Sequence, residues 1–166
     1  VISTRPIPPK GGLELSVCKI SAGLAERGHQ LFVLSPSERK QVYRRENIIY
    51  QSIDTYISLP RFTLPKLDAV VPILKILKWA DVVHLHSTHE LFCLIIFILS
   101  KMLAKKTFIT TLSPLQFFDR RSLSEKVYMF IADLFSLIMI LSSDIVQVKN
   151  IGDFQTLRKL NPKKLC

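Results

Sequence analysis

Three closely spaced histidines are the residues of this chain whose types and spacing most directly suggest chemistry. His84, His86 and His89 lie within one short segment, and the first two share a face if the segment is a strand, because strand side chains alternate. Imidazole nitrogens bind metals and exchange protons near neutral pH. The segment offers only Glu90 as a further ligand, so we expect no metal and assign His84 to packing within a strand.

A glycine pair, Gly11 and Gly12, lies in the loop at residues 5–12, before the first predicted helix. Glycine lets a ligand approach the backbone closely, and the free amides at a helix start bind anions. The loop has neither the dinucleotide fingerprint G-x-G-x-x-G nor the P-loop pattern. Two interpretations therefore stay open: a ligand contact, to which Lys10 adds positive charge, and a glycine turn required only for its geometry.

Short apolar runs and helical patterns alternate along the chain and must position these residues. This βαβ alternation predicts an α/β fold with three-layer, Rossmann-like architecture: a doubly wound, mainly parallel sheet with helices on both faces. Ligands of such sheets bind beyond the carboxyl ends of the strands. Strands are predicted at residues 1–3, 30–34, 47–58, 81–85, 107–112 and 144–148, and helices at residues 13–27, 65–78, 90–104 and 123–141.

The composition predicts one folded domain. With 166 residues and 48% hydrophobic content, the chain is long enough for one packed core, and no linker divides residues 1–166. The apolar runs at residues 91–99 and 127–141 are shorter than the roughly 20 residues of a membrane-spanning helix. Three widely separated cysteines suggest no disulfide framework and fit a reducing cytoplasm. The chain begins inside a predicted strand and without Met, so we expect further residues at both ends.

The formal net charge of +10 favours anionic partners, such as nucleotide phosphates or the surface of an anionic membrane. Nucleic acid is not expected, because the chain contains no recognised basic-aromatic module. The lysines at residues 101–106 have two interpretations. They place favourable charge at a helix end, or they form a lipid-facing surface together with the basic residues at positions 40, 44, 45 and 61.

Four motifs occur in an order that few families share. Residues 8–14 read PPKGGLE, residues 24–29 read LAERGH, residues 80–87 read ADVVHLHS and residues 143–148 read SDIVQV. In this order they resemble the N-terminal domain of family-4 glycosyltransferases, which are GT-B enzymes, and they span nearly the whole chain. The resemblance implies the acceptor-side half of a two-domain enzyme, with the C-terminal, donor-binding domain absent from this chain.

The resemblance also implies an activity and a set of residue roles. Such an enzyme transfers a sugar from a nucleotide-sugar to a lipid-linked or polysaccharide acceptor, with retention of anomeric configuration and without a metal or bound cofactor. Gly11 and Gly12 would face the donor diphosphate across the interdomain cleft. His86, Ser87 and His89 would line that cleft and contact the acceptor. The fragment alone would lack turnover.

One departure from the family pattern concerns the loop after the next strand. The family commonly has a histidine there, in a Thr-x-His-Gly-like loop, whereas this chain reads TTLSPL at residues 110–115. Ser113 can hydrogen-bond a sugar but cannot reproduce the acid-base behaviour of an imidazole. Phe117 and Arg120 then offer a stacking face and a cation for an acceptor or a membrane. Alternatively, Phe117 packs under the following helix and Arg120 is solvated, and neither has a function in binding. A non-catalytic membrane- or partner-docking domain with a basic face therefore stays open as the alternative.

Overall fold

The computed structural model describes residues 12–37, 41–59, 62–111, 123–149, 151–160 and 162–166, so the predicted strand at residues 1–3 lies outside these ranges. In chain order the elements are α1 (Gly12–Glu26), β1 (Leu31–Ser37), β2 (Val42–Arg45), β3 (Ile48–Leu59), β4 (Phe62–Pro65), α2 (Leu67–Trp79), β5 (Val82–Leu85), α3 (Leu91–Met102), β6 (Lys106–Thr111), α4 (Leu123–Ser142), β7 (Ile145–Val148) and α5 (Ile151–Arg158).

The strands of the described ranges form two sheets. In the first, β1 runs parallel to β3, and the short strands β2 and β4 run antiparallel to β3. The second sheet is parallel throughout, in the order β5-β6-β7. Together with the alternating helices, this arrangement confirms the predicted α/β, Rossmann-like class. The carboxyl ends of β5, β6 and β7 lie at one edge, where such folds bind ligands.

Helices cover both faces of the strands, as the alternation of β1 shows. Leu31 and Val33 point into a cluster with Val17 of α1, whereas Leu34 points into the larger cluster with Ile73 of α2. That larger cluster continues through α3 to residues of β5, β6 and α4. Because Val83 and Leu85 of β5 belong to it, the side chains at positions 84 and 86 face the opposite side.

A cavity of about 820 Å³ separates the two sheets. It is bounded by Leu31 and Leu34 of β1 and by Val82 and His84 of β5, with Trp79 of α2 also in its wall. In the described ranges β1 pairs only with β3, and β5 pairs only with β6. The facing edges of β1 and β5 thus line the cavity from its two sides. The cavity does not include the Gly12 or His86 positions.

Gly28 follows α1, one residue beyond the helix predicted at residues 13–27. Its φ is +85°, a left-handed conformation that glycine adopts without steric cost. Its amide donates to the Ala25 carbonyl at 2.9 Å, and the amide of His29 donates to the Leu24 carbonyl at 3.2 Å. These bonds satisfy carbonyls at the helix end and turn the chain into β1.

Three elements are absent from the sequence-based prediction. The strand β2 is fully exposed and packs mainly through Tyr43, whose ring stacks on Tyr50 of β3 at 4.5 Å. The sequence predicts no strand between residue 58 and residue 65, yet β4 forms from Phe62 to Pro65 on the edge of β3, where proline is tolerated. The short helix α5 also has no counterpart in the prediction. None of the helices in the described ranges is long and apolar enough to cross a membrane.

Candidate functional site

His84 and His86 lie on the same face of β5 and just beyond it, with ring centroids 4.0 Å apart. The ring of His84 stacks on Phe108 of β6 at 4.3 Å, and its Nε2 lies 2.8 Å from Thr110 Oγ1. The Thr110 hydroxyl donates to Gln147 Oε1 of β7 at 3.0 Å, so Nε2 of His84 must be the donor to Thr110. Burial, followed by the charge of His86, lowers the pKa of His84 far below its usual value. His84 is a packing residue, as the sequence predicts.

His86 differs from His84 in the hydrogen bonding of its ring nitrogens. The residue is 1% exposed, and neither Nδ1 nor Nε2 has a hydrogen-bond partner among the described residues. Burial is the main cause that lowers its pKa to about 4, so the ring is neutral at pH 7 and offers one N–H donor and one acceptor. A buried polar group without a partner costs about 1–3 kcal/mol. The role in a cleft that the sequence predicts for His86 stays a prediction, and the structure adds that its ring is buried with both nitrogens unpartnered among the described residues.

His89 is held by a carboxylate from a distant helix. Its Nε2 lies 3.1 Å from Oδ1 of Asp133 on α4, whose side chain is fully buried. The Thr88 hydroxyl lies 3.4 Å from Nδ1 of the same ring and receives a 2.6 Å hydrogen bond from Ser136. Thr111, the last residue of β6, lies 3.4 Å from Thr88. The segment after β5 is thereby anchored to both α4 and β6.

The start of α1 reaches the same edge through Lys149, which follows β7. The Lys149 ammonium donates to Ser16 of α1 at 3.1 Å. Its charge also contributes, after burial, to the low pKa of His86. The first turns of α1, the end of β5 and the end of β7 therefore meet at one edge. The cation and the helix N-terminus both favour a negatively charged ligand there.

Gly12 is the first residue of α1 and is exposed. A Cβ added to Gly12 would meet no described atom within 4 Å, so a side chain there would occupy open space instead of clashing with the protein. Ser87 is partly buried beside the His86 and Thr88 positions. The remaining predicted site residues, Lys10, Gly11, Ser113, Phe117 and Arg120, lie outside the described residues.

Sequence reasoning missed two of the polar groups at this edge. Asp133 stands within the apolar run at residues 127–141, where nothing in the sequence pattern indicates a partner for a carboxylate. Lys149 follows a predicted strand end, the one signal that could have singled it out. No three His, Cys, Asp or Glu side chains in the described ranges are grouped so that they could hold a metal ion.

These observations define the class of protein. The chain is an α/β, Rossmann-like domain with a buried imidazole and a lysine after the ends of parallel strands β5 and β7. Nearby, the imidazole of His89 is paired with a carboxylate from α4. The family model of Glycosyltransferase Family 4 matches residues 10–129 of the chain. The chain belongs to Glycosyltransferase Family 4.

Solved structures with a similar fold come from bacterial synthases. An α,α-trehalose-phosphate synthase (UDP-forming) from Burkholderia vietnamiensis is 14% identical with a TM-score of 0.51, and the alignment covers 96% of this chain and 41% of that one. An α,α-trehalose 6-phosphate synthase from Burkholderia multivorans is 13% identical with a TM-score of 0.50, and the coverage is 95% and 42%. The chain thus spans about two fifths of the length of these structures. No curated protein matches it in sequence.

Proposed function

We propose that the chain is the acceptor-binding domain of a retaining glycosyltransferase that transfers a sugar from a nucleotide-sugar to a lipid-linked or polysaccharide acceptor. Membership of Glycosyltransferase Family 4 supports the reaction class. The observation that carries the proposal is His86, a buried imidazole with two unpartnered nitrogens at the edge where the fold binds ligands. Residues beyond this chain supply the donor-binding half in the same proposal.

In this proposal, the domain contributes mainly by positioning the acceptor. The neutral ring of His86 donates or accepts a hydrogen bond to a sugar hydroxyl. The contact with Asp133 fixes the imidazole ring of His89, and this keeps the backbone next to His89 in one conformation. Holding the acceptor hydroxyl near the reacting carbon lowers the barrier through orientation, without a dedicated nucleophile on this domain.

In this proposal, the donor diphosphate binds at the N-terminus of α1. The open space beside Gly12 lets phosphate oxygens approach the N-terminus of α1, where free amides and the helix dipole favour an anion. Lys149 adds a cation within reach of the second turn of α1. These groups supply positive charge for a diphosphate, and in this proposal the reaction needs no metal and takes place in the cytoplasm. A UDP-sugar is the first donor to test, because the Burkholderia vietnamiensis protein is described as UDP-forming.

The test is glycosyl transfer by the full-length gene product, screened over nucleotide-sugars and over lipid-linked and polysaccharide acceptors. His86→Gln should lower kcat/KM by about 100-fold, because the acceptor then loses an oriented contact. The matched control is His29→Gln, since His29 is an exposed histidine in the turn between α1 and β1. Wild-type kcat/KM in His86→Gln would contradict the assigned role. Absence of transfer across the whole panel, with vesicle binding intact, would support the non-catalytic docking domain instead.

A further inference from the structure

The outward surface of α4 is a continuous apolar stripe. Val127, Phe130, Leu134, Ile138 and Leu141 are all exposed, and Phe130 reaches 62%. At 100° per residue these five positions fall within an arc of about 80° on the helix surface. The stripe therefore runs along one line for about 20 Å, at a rise of about 1.5 Å per residue.

The opposite surface of α4 is already occupied by the protein core. Ala132, Ser136, Met139 and Ile140 on that side are completely buried. A helix that packs only on its own domain should present polar residues outward, whereas α4 presents an apolar stripe there. The neighbouring helix α3 also exposes Met102, which is 77% exposed. An apolar patch of this extent marks an interaction surface.

Lysines lie at both ends of the stripe. Lys126 is exposed at its start. At the other end, Lys101 of α3 pairs at 2.8 Å with Asp144, which comes two residues after α4 ends, so the two helices end at the same edge. The exposed Lys106 follows there at the start of β6, whereas the Lys105 ammonium donates to the Lys78 carbonyl at the end of α2 at 2.8 Å. The one acidic residue among the described side chains of α3 and α4 is the buried Asp133.

We infer that this outer face of α4, from Val127 to Leu141, docks on the surface of an anionic lipid bilayer. The apolar side chains enter the acyl boundary while the lysines at both ends contact lipid phosphates, an arrangement typical of helices that lie in the membrane interface. A net charge of +10 adds long-range attraction to such a surface.

A second copy of the chain fits this face less well than a bilayer does. In an antiparallel pairing of two α4 stripes, Lys126 of one copy would approach Lys106 of the other. In a parallel pairing, the two Lys126 side chains would approach each other. Both arrangements bring like charges together beside a low-dielectric contact, which costs association energy. An anionic surface instead complements both ends at once.

The test measures binding of the protein to vesicles of phosphatidylcholine with about 30% phosphatidylglycerol, by co-sedimentation. Phe130→Ser should weaken the partition coefficient about tenfold, because the largest inserted side chain is lost. The matched control is Tyr56→Ser on β3, an aromatic residue with almost the same exposure, 63%. Circular dichroism and the unfolding midpoint show that both variants remain folded. Vesicles of phosphatidylcholine alone should bind weakly, and added salt should reduce binding to the anionic vesicles.

Equal binding of Phe130→Ser and the wild type would overturn the inference, as would binding that ignores phosphatidylglycerol. A concentration-dependent dimer in sedimentation velocity, dissolved by Phe130→Ser, would assign the face to a second copy and also overturn it. The experiment contains no sugar donor or acceptor, so its failure is distinguishable from a failure of the proposed transfer reaction.

Discussion

The histidines after β5 have opposite environments at the scale of single residues. His84 shares its ring proton with Thr110 and stacks on Phe108, so its burial is compensated by contacts. His86, two residues further along, is equally buried and has no hydrogen-bond partner in the described part of the chain. Buried polar groups without a hydrogen-bond partner lower the stability of the folded protein. They occur most often at binding sites, where a ligand supplies the missing partner.

The pH dependence of stability follows from the pKa of His86. Its pKa is about 4 in the folded protein, below the value of about 6.5 in an unfolded chain. At pH 5 the unfolded chain therefore takes up a proton that the folded protein does not, and stability falls as the pH falls from about 6.5 to 4. We expect His86→Phe to lose less of its unfolding free energy than the wild type between pH 7 and pH 5, by at most about 2 kcal/mol.

Urea unfolding at the two pH values measures this difference. His29→Phe serves as the control, because His29 is exposed. His84 is also buried with a lowered pKa, so the His86 variant should keep part of the acid sensitivity. Parallel losses in the wild type and His86→Phe would show that His86 titrates normally in the folded state.

At the scale of elements, the turn from α1 into β1 offers a matched pair of glycines. Gly28 has a φ of +85°, where a Cβ is strained whatever space surrounds it. Gly23 lies within α1, and an added Cβ would make an ordinary 3.7 Å contact with Arg27 Nη1. Gly28→Ala should therefore lower the unfolding free energy by about 1 kcal/mol. Gly23→Ala should raise it by about 0.5–1 kcal/mol, because alanine favours the helix.

Chemical denaturation of the two single variants checks the opposite signs. If both substitutions stabilise the domain, Gly28 does not adopt the left-handed conformation in solution. If both destabilise it, the surroundings of Gly23 are tighter than the 3.7 Å contact indicates.

The sequence predicts best those elements whose burial produces a recognisable pattern of apolar residues. The core strands β5, β6 and β7 lie within one or two residues of their predicted bounds, because parallel strands buried on both faces form apolar runs. The exposed β2 has no such pattern, since its pairing depends on β3. The pair of His89 and Asp133 joins residues 44 positions apart, and neither residue type alone reveals its partner. Such contacts depend on how helices pack and could not be derived from local periodicity.

At the scale of the whole molecule, the two candidate surfaces use different parts of one layered fold. The carboxyl edge collects groups from α1, β5 and β7, which connect through the contact of Lys149 with Ser16 and its charge effect on His86. The outer face of α4 lies on the far side of a helix whose inner side supplies Asp133 to that same edge. Helix α4 therefore links the proposed membrane surface to the segment that anchors His89. In the proposed enzyme, this arrangement would present the site to an acceptor at a bilayer.

Gly12 tests whether the carboxyl edge works as one half of an interdomain cleft. A side chain at this position would point into open space among the described residues, so Gly12→Val should leave the folded domain intact. In the full-length gene product it would occupy the space proposed for the donor diphosphate and lower kcat/KM for sugar transfer by about 100-fold or more. Gly23→Ala, elsewhere on α1, is the control that should keep wild-type kcat/KM. Thermal unfolding of Gly12→Val separates the outcomes: loss of transfer with the wild-type midpoint supports the cleft, whereas full activity would remove the start of α1 from the site.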